Sequence, residues 1–169
     1  MYKRIIILGG SGSGKSTLAN RISLYTGYPV YHLDNLFLDF NWKKKDINEL
    51  IEINKKLLSE NVGVIEGNYT STLPQRVDWA NLIIFIDIPR RLQLYRIIKR
   101  LIRVKLGLDK RYGRPIESKN KFDIKFFSWV YNWNNHSKPK IFSILESIKD
   151  KKFLVIKEPR KLNLEELFK

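Results

Sequence analysis

The chain has no cysteine, which excludes disulfides and thiolate metal sites and fits the reducing cytosol. Its two histidines are too few for a His-rich metal centre. Acidic residues are scarce: 17 Asp and Glu stand against 32 Lys and Arg, a net charge of +15. Long apolar runs are missing as well. Stretches such as "LIIFI" at 82–86 fall far short of the about 20 residues that span a bilayer. The basic opening "MYKRIIILGG" holds four apolar residues in a row, fewer than the apolar region of a signal peptide. These absences predict a cytoplasmic protein with no membrane partner.

What is present is the composition of a folded domain. Apolar residues make up 43% and charged residues 29% of 169 positions, enough for a real core. No repeat, low-complexity linker or composition break divides the chain, so residues 1–169 read as a single domain. Strand-like runs at 4–8, 30–33, 62–66, 82–88 and 153–156 alternate with helical stretches at 15–25, 46–60, 90–105, 121–134 and 138–149. A short further helix begins near 163. Such alternation predicts an α/β fold with a parallel sheet wrapped by helices. Asp46 is placed to cap the second helix. The glycine- and charge-rich piece at 106–118 reads as a flap, within a lid segment of about 103–120.

The first strand runs straight into Gly9-Gly10-Ser11-Gly12-Ser13-Gly14-Lys15-Ser16, followed by Thr17. This fits the spacing G-x-x-x-x-G-K-[ST] between a strand and a helix. The glycines let backbone N–H groups turn inward on phosphates. Lys15 supplies a mobile charge for the β and γ phosphates, Ser16 a hydroxyl for Mg²⁺, and the helix start a favourable dipole. The expected cofactors are therefore ATP and Mg²⁺. A dinucleotide fingerprint does not fit, because the third glycine leads directly into lysine.

In open parallel sheets ligands sit beyond the carboxyl ends of the strands. Asp34 follows the second strand and is a candidate to accept a hydroxyl proton or hold a metal-bound water. His32 precedes it as a core or supporting residue. Glu66 and Asp87 end the third and fourth strands and compete for the metal-supporting role. Asn68 and Tyr69 follow Glu66 as candidate acceptor contacts.

Residues 90–125 hold 13 basic against 3 acidic residues, so +10 of the net charge lies there. Arg96, Lys99, Arg100 and Arg103 share one helix face, and Leu94, Ile97, Ile98 and Leu101 the opposite one. The apolar set should pack on the sheet. The cations suit either a clamp on a transferring phosphoryl group or a nucleic-acid patch, with Lys110, Arg111 and Arg114 of the flap adding to them. Aromatics cluster at Phe37, Phe40 and Trp42, and again at Phe126, Phe127, Trp129, Tyr131 and Trp133. Most should be core.

The segments "GGSGSGKST", "YHLDNLF", "IEGNYTSTL" and "IIFIDIPRRLQLYRIIKR", in this order and spacing, resemble the adenylate-kinase-like P-loop kinases. More narrowly they resemble the bacterial DNA topology modulation proteins. The resemblance covers nearly the whole chain. It implies a three-layer P-loop sandwich with a five-stranded parallel sheet in the order 2-3-1-4-5 and a helical lid after strand 4. It also implies that Arg96 and Arg100 clamp phosphates, that Glu66-Gly67 replaces an Asp-Gly pair near Mg²⁺, and that Asp34 binds an acceptor hydroxyl. "KEPRKL" at 157–162, with Arg160, would stand beside the adenine. One departure concerns the acceptor. Adenylate kinase has Phe-Pro-Arg after its Asp-Gly pair, and here Asn68-Tyr69-Thr70 stand there, leaving Arg76 as a partial substitute. The narrower family name implies an effect on DNA supercoiling, yet nothing in the chain reads as a sequence-reading DNA motif.

The expected function is an ATP- and Mg²⁺-dependent phosphotransferase acting on a small-molecule acceptor, a nucleoside, nucleotide or hydroxyl metabolite. Two alternatives stand beside it: an ATP-binding regulator that contacts nucleic acid, and a plain NTP hydrolase.

Overall fold

The structure, a computed structural model, describes residues 1–39, 43, 45–108, 124–146 and 151–169. Phe40, Trp42, Lys110, Arg111, Arg114 and most of the expected lid lie outside these residues. Five strands form one parallel sheet in the order β2-β3-β1-β4-β5: β1 Arg4–Gly9, β2 Val30–His32, β3 Gly63–Glu66, β4 Leu82–Ile86 and β5 Lys152–Ile156. The α/β class and the strand order agree with expectation.

The central strand explains the layering. Side chains alternate across a strand, so Ile6 and Leu8 point to one face of the sheet and Ile5 and Ile7 to the other. All four are fully buried. The Ile6 side forms a core with Phe37, Ile65, Phe85, Trp133 and Ile141. The Ile5 side forms another with Leu18, Ile22, Val64, Ile84 and Phe168. Both faces of β1 are therefore covered, the usual condition of an interior parallel strand.

The helices are α1 Lys15–Thr26, α2 Leu33–Phe37, α3 Ile47–Leu58, α4 Leu73–Trp79, α5 Arg90–Lys105, α6 Ile124–Leu145 and α7 Leu164–Phe168. Asp46 caps α3 as expected, its carboxylate accepting from the Asn48 backbone N–H at 2.8 Å. Two short helices, α2 and α4, have no counterpart in the sequence reading. Both are shorter than a stable isolated helix and exist through packing. Leu33 and Phe37 anchor α2, while Leu73, Val77 and Trp79 anchor α4. A further correction concerns the two helices expected over 121–134 and 138–149. Within the described residues they are one, running through Pro139. Val130, Trp133, Ile141 and Leu145 keep a buried ridge on both sides of the proline, and this packing outweighs the lost backbone bond. Among the described residues no helix is long and apolar enough to cross a membrane.

Arg76 corrects a site expectation. It lies on α4 with none of its surface exposed. Its guanidinium donates to the carbonyls of Gly67 (3.0 Å), Asn68 (2.5 Å) and Tyr69 (2.8 Å). Burial pushes its pKa down to about 9, with the Tyr69 charge opposing. The side chain is buried and braces the turn after β3, where its guanidinium serves backbone carbonyls instead of lining the cleft. Replacing Arg76 with Ala strands three carbonyls and should lower the unfolding free energy by about 3 kcal/mol, measured by urea denaturation. Arg76→Lys should recover less than half, because an ammonium lacks the planar fork.

Candidate functional site

Gly9 ends β1, and the chain turns through Gly9, Gly12 and Gly14, each with positive φ (142°, 74° and 102°), before α1 starts at Lys15. Two of the loop glycines answer to packing. A Cβ on Gly10 would stand 2.2 Å from the Gln93 Oε1, and one on Gly12 would stand 2.7 Å from the Gln93 carbonyl oxygen. The buried Gln93 of α5 thus presses on the loop, its amide nitrogen held by the Ile88 carbonyl at 2.9 Å. Sequence reading missed this residue.

Asn68 holds the loop from the other side. Its amide nitrogen donates to the Gly9 carbonyl at 2.9 Å, and its oxygen accepts from the Gly9 N–H at 3.1 Å. The side chain expected at the acceptor is engaged with the backbone of the loop. Lys15 folds back, its Nζ donating to the carbonyls of Gly9 (3.0 Å) and Gly10 (3.1 Å). Arg96 donates to the Ser13 carbonyl at 3.1 Å.

Above this loop lies a cleft of about 510 Å³. Ser11, Gly12, Gly14, Lys15, Ser16 and Thr17 form its floor. Asp34 and Glu66 line it from the strand ends, Arg96 and Arg100 from α5, and Pro159 and Arg160 from the segment after β5. Gly9, Gly10 and Ser13 are not among the residues that line it. Arg21 of α1 also lines it, and sequence reading missed it too. Its guanidinium donates to the carbonyls of Pro159 (2.7 Å), Arg160 (3.1 Å) and Leu162 (3.1 Å), tying that segment to α1. No motif marks it, because its partners lie 138 to 141 positions away.

The two candidate metal carboxylates separate here. Glu66 accepts from the Ser16 hydroxyl at 2.9 Å and lies 2.7 Å from the His32 Nδ1. Burial pushes its carboxyl up. The His32 hydrogen bond, the Lys15 charge and the Ser16 hydrogen bond together outweigh that and hold it below the ordinary glutamate value. Asp87 instead pairs with Lys138 of α6 at 2.8 Å and does not line the cleft. Among the described residues no three His, Asp or Glu side chains form a ready-made metal cage. Mg²⁺ does not need one, since it commonly takes one or two protein groups together with phosphate and water. Ser16 and Glu66 fit that mode: a hydroxyl that donates its proton to a carboxylate still offers its lone pairs.

Asp34, also on the cleft lining, sits exposed in the first turn of α2 and accepts from the Tyr69 hydroxyl at 2.9 Å. Tyr69 has a positive φ of 32°, uncommon for a non-glycine residue, and its ring stacks edge-on against Phe37 at 4.8 Å. The Arg76 bonds hold this turn in place.

The orientation of α5 differs from expectation. Gln93, Ile97 and Val104 form its buried ridge, and Ile98 is 42% exposed. Arg96 and Arg100 flank the ridge and are half-buried, while Lys99 and Arg103 face solvent. The four cations are therefore split between cleft and surface. Burial, and then the neighbouring positive charge of Arg160, hold the Arg96 guanidinium below its ordinary value. Of the aromatics, Phe37 and Trp133 are core, while Trp129 and Tyr131 are exposed.

No known family profile matches the chain, and no curated protein does. Solved structures do match. A shikimate kinase from Acinetobacter baumannii in complex with shikimate aligns over 98% of this chain and 91% of its own, with a TM-score of 0.61 and 15% identity. A shikimate kinase from Aquifex aeolicus covers 97% and 93%, with a TM-score of 0.56 and 18% identity. A gluconokinase from Sinorhizobium meliloti covers 97% and 86%, with a TM-score of 0.50 and 18% identity. At these identities the likeness is one of fold, that of the P-loop kinases. The narrower resemblance to DNA topology modulation proteins finds no support among them.

The depressed Glu66 carboxyl makes a test on the free protein. Its folded value lies below its unfolded one, so it adds stability above about pH 4.3 and loses it as pH falls through the folded value. The stability difference between the wild type and Glu66→Gln should therefore hold above about pH 4.3 and shrink as the pH is lowered below it, followed by urea midpoints. A constant difference would remove the electrostatic account of this pair.

Proposed function

We propose that the protein is a kinase that transfers the terminal phosphoryl group of ATP, with Mg²⁺, to a hydroxyl of a small molecule. One observation carries the reading. A single cleft is lined by the glycine loop with Lys15 and Ser16, by Arg96 and Arg100, and by a carboxylate that already accepts a hydroxyl. A plain NTP hydrolase has no need of the Asp34–Tyr69 pair. The shikimate kinases and the gluconokinase, whose acceptors by name are polyhydroxylated carboxylates, support an acceptor of that general kind over a nucleoside monophosphate. The buried Arg76 supports the same choice, because it cannot take the place of the arginine that holds an acceptor nucleotide's phosphate.

Each residue has a separable task. The loop N–H groups and Lys15 hold the phosphates, with Lys15 exchanging its two carbonyl bonds for phosphate oxygens. Ser16 and Glu66 would hold Mg²⁺, which supplies charge neutralisation for the transferring group. Asp34 orients the acceptor hydroxyl and takes its proton as the new P–O bond forms and ADP departs. Arg96 and Arg100 stabilise the equatorial charge of the phosphoryl group. Pro159 and Arg160 border the base side, held there by Arg21. Most of the rate enhancement would come from positioning and electrostatics.

The test is ADP release from MgATP with a panel of polyhydroxylated carboxylates, sugars, nucleosides and nucleoside monophosphates. One class should raise the rate well above the ATP-only background, and Lys15→Ala should lower that rate by at least about 100-fold. Retained turnover in Lys15→Ala would sink the reading. Asp34→Asn should lower kcat by about 100-fold while leaving the ATP dissociation constant within about twofold. Equal losses in both would reassign Asp34 to the metal or the fold.

A further inference from the structure

Glu66 is unusual in how it is held. Strands β2 and β3 pair in parallel with His32 directly opposite Glu66. That register brings the imidazole Nδ1 to 2.7 Å from Glu66 Oε1. The Ser16 hydroxyl reaches the same oxygen at 2.9 Å. Among the described residues Oε2 takes no hydrogen bond, and Glu66 lines the cleft. An ionised carboxylate only accepts, so Nδ1 carries the proton of this bond. Glutamate has one more rotatable bond than aspartate, so a glutamate at a strand end needs an outside group to fix its carboxylate. The imidazole is short, rigid and rooted in the neighbouring strand, which suits that task.

We propose that His32 is the positioning residue for Glu66: by holding Oε1 it sets the carboxylate's orientation, presents Oε2 to the cleft, and so sets how strongly Mg²⁺ strengthens nucleotide binding. The inference rests on the reading of this cleft as a Mg²⁺–nucleotide site. It goes beyond that reading by giving a task to a residue that does not itself line the cleft. It also distinguishes His32 from Ser16, which meets the same oxygen but would itself be a ligand. Groups that orient a metal-supporting carboxylate commonly change metal affinity 10- to 100-fold when removed, about the range expected here.

The experiment is calorimetric titration of the full chain with ADP, once with Mg²⁺ and once with EDTA. The readout is the ratio of the two affinities. His32→Phe keeps a ring and removes the donor. It should reduce the Mg²⁺-dependent ratio by about tenfold while leaving the EDTA affinity within about twofold. His32→Asn places an amide N–H close to where Nδ1 stood and should restore the ratio to within about threefold of wild type. Glu66→Gln should lose the ratio as fully as His32→Phe. Should His32→Phe fail to fold, His32→Leu serves instead, since it too lacks a hydrogen-bond donor. An unchanged ratio in the donor-less variant overturns the proposal. So does an equal loss of affinity in both buffers, which would make His32 a packing residue. A wild-type protein whose ADP affinity ignores Mg²⁺ overturns this inference together with the metal role of Glu66. A wild type that shows the Mg²⁺ effect but phosphorylates no acceptor leaves the His32 assignment standing and removes only the kinase reading.

Discussion

The backbone of Gly9 is the fixed point of this molecule. It is the last residue of a strand buried on both faces, and Asn68 grips both its N–H and its carbonyl. Asn68 is in turn fixed because Arg76 binds its carbonyl and those of its two neighbours. A fully buried guanidinium is costly unless its hydrogen bonds are met. That cost is offset by a turn that would otherwise leave three inward carbonyls without donors. From this anchored point the chain enters the glycine loop, which Gln93 and Arg96 of α5 brace from the other side. A loop of glycines and serines would be floppy alone. Here its path is determined by side chains from outside the loop.

The same anchoring accounts for the crowding of charge. Lys15, Arg21, Arg96, Arg100 and Arg160 border the cleft, against two carboxylates, Asp34 and Glu66. Like charges so close repel, and burial first and then Arg160 hold the Arg96 guanidinium below its ordinary value. Three of the cations are held by backbone carbonyls: Lys15 by the loop, Arg96 by Ser13, and Arg21 by the segment after β5. Carbonyl dipoles hold a cation without neutralising it. The cleft keeps a positive field, which is what attraction of a polyphosphate requires.

Much of this was legible in the sequence and some was not, for physical reasons. The loop motif could be read because it is local: strand, glycine spacing, lysine and helix lie within a few residues. Asp34 and Glu66 could be singled out because strand ends in a parallel sheet face one way. The helices α2 and α4 could not, since five and seven residues carry too little periodicity and owe their form to the core. The rotation of α5 was misread because an apolar stripe was assumed to face inward. Its buried ridge contains Gln93 beside Ile97 and Val104, a polar residue chosen for contact with the glycine loop. Arg21 and Arg76 act on carbonyls, and a carbonyl has no residue identity for a sequence to reveal. Asn68 and Arg76 read as ligand contacts from position alone, and only their partners show that they serve the backbone.

The choice between Glu66 and Asp87 shows how topology decides chemistry. β1 lies between β3 and β4, and each neighbour delivers a carboxylate near its carboxyl end. By strand position the two are nearly equivalent. The symmetry is broken by α1, which packs against β1, β2 and β3. Its first turn therefore leans toward β3, and the Ser16 hydroxyl meets Glu66. On the β4 side α6 approaches instead, and Lys138 neutralises Asp87. A carboxylate already matched with an ammonium has little charge left for a cation. Glu66 is hydrogen-bonded to a hydroxyl and an imidazole N–H rather than paired with an ammonium, and with the Lys15 charge nearby its depressed pKa keeps it ionised. The side on which the first helix returns to the sheet thus selects which strand end would support a metal, and that follows from the connection of β1 through α1 to β2, the edge strand on the β3 side.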